Sequence, residues 1–157
     1  MTTVAVLGLL GSAVIGGVFF AFSSFVMKAL ANVPSAEGIA AMQSINVVVL
    51  NPSFLGAFMG TAVISVVAAA FAIKEWASPT APFVLAGALL YLAGTFLVTG
   101  LGNVPLNNKL AAVSATDPEA VPVWADYLGR WTTLNTLRTV AAVGAALAYL
   151  AGLVQDH

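Results

Sequence analysis

Four runs of about 20 apolar or small residues dominate this sequence, and a chain that carries them has few folds open to it. They cover residues 4–27, 53–73, 83–101 and 131–154; the first three hold no charge and the fourth holds one, Arg138. A helix rises about 1.5 Å per residue, so each run is long enough to cross roughly 30 Å of bilayer hydrocarbon. The remaining composition agrees: 61% of residues are apolar, 7% are charged, and the mean hydropathy is +1.01. The expected fold is all-α, an integral membrane four-helix bundle forming a single four-span transmembrane domain over residues 1–157.

The ends of the runs carry helix-boundary chemistry. Lys28 closes the first, and nothing basic precedes it, so it reads as a retained span rather than a cleaved leader. Asn51-Pro52 opens the second as a cap followed by a proline in the first turn, and Lys74-Glu75-Trp76 closes it at an interface. Gly102-Asn103-Val104-Pro105 predicts a stop after the third, and Arg130-Trp131 a start for the fourth. Two longer, partly helical connections, 29–51 and 102–129, then share one membrane face, opposite both termini. In the first, Ile39, Met42, Ile45 and Val49 fall on one side of a helix that begins near Ser35-Ala36-Glu37. In the second, Asp117-Pro118-Glu119 starts a similar cap carrying Val121, Trp124 and Leu128. Lys28, Lys109 and Arg130 against Lys74 lean the connections towards the cytoplasm.

Several function classes drop out. With 5 basic and 6 acidic residues and a formal net charge of -1, no basic field exists to hold nucleic acid. The absence of cysteine, with His157 the one histidine, removes disulfides, thiolate chemistry, haem ligation and most transition-metal sites.

What polar chemistry remains is concentrated beside the connections. Arg138 lies about 12 Å along the fourth helix from Arg130, and a cation at such depth costs from a few to more than ten kcal/mol without a partner or a wet cavity. No carboxylate lies within any span. Trp131, Asn135 and Arg138 are spaced i, i+4 and i+7, which sets an aromatic plate, an amide and a cation on one stripe facing the interior. Asn46, Asn51, Asn103, Asn107 and Asn108 sit at the ends of the connections, with Trp124 and Tyr127 nearby. Together they outline a pocket near one membrane face with a cation at its base, and Phe22 is a further candidate for its wall. Each has a plainer use: Arg138 can snorkel, Trp124 and Trp131 can anchor an interface, Asn51 and Asn103 can cap or turn, and Asn46, Asn107 and Asn135 can tie helices together. Gly56 and Gly60 form a GxxxG pair suited to helix packing or to a homo-oligomer.

Asn51-Pro52, then Asn103-Val104-Pro105-Leu106-Asn107, then Trp124 followed by Trp131-x3-Asn135-x2-Arg138, set among four spans, resemble the DUF1772 or anthrone-oxygenase-like family of integral membrane proteins. The resemblance covers nearly the whole chain. It implies oxidation of anthrones to anthraquinones by molecular oxygen without metal or flavin, and the bacterial inner membrane as the expected setting. On that reading Arg138 and Asn135 are the catalytic candidates, the first stabilising an enolate or peroxide charge. Trp131, Trp124, Asn107 and Asn46 are the substrate-binding candidates. The general base is open between Asp126, Glu37 and water.

Three functions therefore compete. The chain is a cofactor-independent oxygenase of an anthrone-like or other flat phenolic or polyketide substrate, a non-catalytic binder of a small anionic lipid or quinone, or a structural membrane subunit. All three make the lipid bilayer a partner, and the first two add a hydrophobic aromatic or anionic small molecule.

Overall fold

The computed structural model describes residues 1–155; Asp156 and His157, the histidine noted above, lie outside the described residues. Every regular element among the described residues is helical. Four helices are long and apolar enough to cross a membrane: α1 (Thr2–Ala31), α3 (Pro52–Lys74), α4 (Ala81–Ala111) and α5 (Ala120–Val154). The shorter α2 (Ser35–Val48) joins the first two of these.

The long helices close a ring in the order α1, α3, α4, α5, each packing along its two neighbours. Side chains at their contacts are small, with Ala5, Ala68, Ala72, Ala88, Ala142 and Ala145 all buried. Close backbone approach supplies the dispersion contacts that hold helices together in a solvent as apolar as they are. Gly94 shows how close: a Cβ there would run into the Cβ of Ala141, so α4 meets α5 with no side chain between. The outer face carries Leu10, Val14, Phe20, Val63, Leu101 and Leu147, all exposed, as a hydrocarbon surround requires. Gly56 and Gly60 have nothing within 4 Å of where a side chain would stand, so the GxxxG pair packs no helix within this chain.

At the second span the boundary forms as expected. Asn51 Oδ1 accepts from the Phe54 amide at 3.0 Å, and Pro52 occupies the first turn, where its missing N–H costs nothing. Likewise α2 buries Ile39 and Met42 and half-buries Ile45. It is a lid seated on the bundle. Gln43 Nε2 donates to the carbonyls of Leu110 and Val113, both at 2.9 Å, tying α2 to the end of α4. Gly38 makes the seat, because a Cβ there would stand 2.7 Å from the Leu30 carbonyl oxygen and 3.0 Å from the Trp124 ring.

Two boundaries differ from the sequence reading. The third span does not stop at Gly102-Asn103-Val104-Pro105 but runs on to Ala111. It does so by widening into π-helical winding over Leu90–Leu97 and Thr99–Asn103. A widened turn leaves a carbonyl without its usual amide, so a proline placed just past it breaks less than it would in an α-helix. The second connection, in turn, forms no separate cap: residues 120–130 are the first turns of α5, which runs unbroken for 35 residues. Nothing interrupts its buried face, where Ala120, Trp124, Tyr127 and Trp131 follow at helical spacing, and Gly129 costs only about 1 kcal/mol inside a helix.

Candidate functional site

Arg138 projects from the middle of α5 into the ring of helices and is 4% exposed. Its guanidinium is held by neutral groups: Nη2 donates to Asn135 Oδ1 at 2.7 Å and Nη1 to Thr99 Oγ1 at 3.1 Å. It lies over the Phe19 ring, 4.0 Å from the centroid, and 5.2 Å from that of Trp131. Nε is buried with no acceptor. Among the described residues no carboxylate pairs with it. Asp126 is turned outward instead, at 3.4 Å from Lys109 Nζ and 3.5 Å from Arg130 Nη1, and Glu37 is exposed. The two carboxylates considered as a general base are thus both on the outside.

Asn135 is fully buried one step behind the cation. Its Nδ2 donates to the Phe19 carbonyl and to Ser23 Oγ, each at 2.7 Å, which fixes Oδ1 towards Arg138. Asn103, expected as a turn residue, is also buried and ties α4 to α5 by donating to the Trp131 carbonyl at 3.2 Å.

In front of Arg138 lies a cavity of about 220 Å³. Phe19 and Phe22 of α1, Phe54 and Phe58 of α3, and Trp131 of α5 supply its aromatic walls; α2 covers it with Met42, Ile45 and Asn46. Thr99 and Asn107 contribute the polar edge of α4. Trp131 Nε1 and Tyr127 Oη both donate to Asn107 Oδ1, at 2.8 and 2.9 Å, and Asn46 Nδ2 donates to Tyr127 Oη at 3.4 Å. Leu50, Met59 and Val104 also line the cavity and are themselves exposed on the outer face. The cavity therefore opens sideways, between the start of α3 and the end of α4, where those two helices make no extended contact. Its volume is below the roughly 300–1,000 Å³ of pockets that enclose drug-sized ligands.

Of the six residues singled out in the sequence, Arg138, Trp131, Asn107 and Asn46 line this cavity, and Phe22 joins them 5.7 Å from the Trp131 ring. Asn135 stands behind it. Trp124 does not reach it: that ring is 3% exposed, stacked on Tyr127 at 5.6 Å, and serves as the floor on which α2 sits.

Thr99, Phe19 of α1 and the phenylalanines of α3 are not among the candidates that the sequence put forward. A signal for Thr99 exists: Tyr91, Thr95, Thr99, Asn103 and Asn107 recur every four residues. In an α-helix a step of four overshoots a turn by about 40°, and this series would wind off its face. π turns are wider and drift the other way, so the mixed winding of α4 keeps Tyr91, Thr95 and Asn103 buried on one side, with Thr99 and Asn107 at the cavity.

Residues 52–148, more than half of the chain, match the family model described as anthrone oxygenase. The chain belongs to the anthrone oxygenase family. The matched segment holds α3, α4 and most of α5, and with them Asn107, Trp131, Asn135 and Arg138. The anthrone oxygenase match leaves out α1 and α2, which supply Phe19, Phe22 and Asn46. No curated protein and no solved structure matches the chain.

Proposed function

We propose that this protein is a cofactor-independent oxygenase of an anthrone-like or other flat phenolic substrate, which Arg138 holds as its enolate. The observation that carries the reading is a buried guanidinium that no carboxylate among the described residues pairs, edged by aromatic rings and facing a cavity. Family membership supports the same reaction class, and the sideways opening suits a hydrophobic substrate taken from the bilayer.

The chemistry needs little from the protein. An anthrone loses a proton from its central CH2 group, and the resulting enolate carries its charge on oxygen beside Arg138, where a fixed cation in a low-dielectric site stabilises it. The enolate gives two electrons to O2 as a C–O bond forms, and the peroxide takes up a proton. Loss of the second CH proton then breaks the O–O bond, leaving the new carbonyl and one water. With Asp126 and Glu37 turned outward, water is the proton acceptor in this scheme. Trp131 and Phe22 face the flat rings.

Purified protein in lipid is expected to consume oxygen with an anthrone above the uncatalysed rate, and Arg138→Ala to lose that excess while remaining folded. Wild-type turnover at background overturns the reading. It would favour the alternative of a non-catalytic site for a small anionic lipid or quinone, which draws support from the lack of any carboxylate or imidazole among the cavity-lining side chains.

A further inference from the structure

The hydrogen bonds around Asn107 fix more than its position. An indole Nε1 carries a hydrogen and no available lone pair, so it can only donate. The Asn107 atom 2.8 Å from Trp131 Nε1 is therefore the amide oxygen, and the Tyr127 hydroxyl donates to the same oxygen at 2.9 Å. Tyr127 Oη in turn accepts from Asn46 at 3.4 Å, so the chain of donors runs one way, from Asn46 through Tyr127 into Asn107. With both lone pairs of its oxygen engaged, Asn107 must turn its NH2 group away from Trp131 and Tyr127. No acceptor among the described residues meets that nitrogen, and Asn107 lies on the cavity wall. Asn135 is the reverse case: its nitrogen is committed to Phe19 and Ser23, and its oxygen to Arg138.

Trp131 connects the two poles. Arg138 Cζ is 5.2 Å from the Trp131 ring centroid, and Asn107 is bonded to the indole nitrogen. The indole thus has a cation over its ring and Asn107 at its nitrogen, and both residues line the cavity, so a flat molecule held there can meet a cation and a neutral NH2 donor. We infer that Asn107 is a specificity-determining residue that selects guests with a second oxygen, a carbonyl or neutral hydroxyl, besides the anionic one. The inference rests on the proposed role of Arg138 as the anion site, and it concerns guests with two oxygens, the oxidised product among them. In the oxygenase scheme the second oxygen is the one the reaction installs, so the same NH2 group meets the peroxide and then the new carbonyl.

The test compares two probes with one ring skeleton, 2-hydroxyanthraquinone, which has carbonyl oxygens away from its ionisable hydroxyl, and 2-hydroxyanthracene, which has none. Affinities are measured by quenching of tryptophan fluorescence in wild-type protein, Asn107→Asp and Asn107→Ala, all in lipid nanodiscs. Asn107→Asp keeps the acceptor that Trp131 and Tyr127 need and loses the NH2 donor. Above the pKa of both hydroxyls, where each probe is a phenolate and the affinities are measured, its added charge repels the two alike, so the ratio of the two losses reads the hydrogen bond. Asn107→Ala gives the same ratio without the charge, and either variant suffices if the other fails to fold. The expected result is that the quinone loses about tenfold more affinity than the anthracene, the worth of one hydrogen bond to a site otherwise left unpaired. Equal losses for the two probes overturn the role of Asn107 and leave the Arg138 reading standing. Failure of wild-type protein to bind either probe overturns both.

Discussion

If Arg138 is reserved for an anionic guest, giving it a permanent counter-ion should evict that guest. Asn135→Asp does so with a change of one atom, since Asn135 Oδ1 already lies 2.7 Å from Nη2. With the charges about 4 Å apart and an effective dielectric constant near 20, the new pair is worth about 4 kcal/mol. That bounds what a neutralised cation withholds from a ligand at close to three decades of affinity, and a loss of one to three decades is expected. Ser23 can turn its hydroxyl to donate to the carboxylate, while the contact with the Phe19 carbonyl turns from a hydrogen bond into a repulsion between two acceptors, so folding of the variant is checked first. Thr99→Asp places a carboxylate at Nη1 from α4 and serves as an independent version. The assay is titration with 2-hydroxyanthraquinone above the pKa of its hydroxyl, with neutral anthraquinone as control. The neutral compound should lose far less than the anion. Unchanged affinity for the anion in a folded variant would refute the claim that the guest's charge sits at Arg138.

Asp126→Asn should leave oxygen consumption intact and cost less than about 1 kcal/mol, because its pairs with Lys109 and Arg130 are exposed; lost turnover in the oxygen electrode would reinstate it as the base. Gly94→Leu should lower the melting temperature in detergent sharply by overpacking the contact with Ala141, whereas Gly100→Leu, with nothing within 4 Å, should not; similar melting temperatures would mean the helices are not this close. Met59→Trp at the mouth of the slot should reduce kcat/KM for an anthrone dissolved in lipid while sparing kcat, and an unchanged kcat/KM would indicate another way in.

Much of the scaffold was legible because hydropathy is a local property. The four runs marked the four long helices, and Asn51-Pro52 marked a boundary through the geometry of its own turn. The stripe of Trp131, Asn135 and Arg138 was readable for the same reason, since α5 is regular there and helical spacing transfers directly to space. Where winding departs from 3.6 residues per turn, the same logic misled. Gly102-Asn103-Val104-Pro105 has the chemistry of a stop, but π winding carries α4 through it, and Asn103 becomes an interhelical tie. Trp124 shares a face with Trp131, yet it lies beyond the cavity under α2, a fact of tertiary packing that spacing does not encode. The aromatic walls were hidden differently. Phe19 and Phe58 are chemically the same as Phe20 and Phe25 on the outer face, and composition alone does not tell a pocket from a lipid contact.

The sideways slot changes what concentration means for this protein. On the proposed function, a guest that arrives between Met59 and Val104 is counted per volume of hydrocarbon, not per volume of buffer. At a fixed total amount of substrate, adding vesicles that hold no protein should therefore slow the reaction by dilution in two dimensions. Any affinity expressed against the aqueous phase will carry the partition coefficient of the compound inside it.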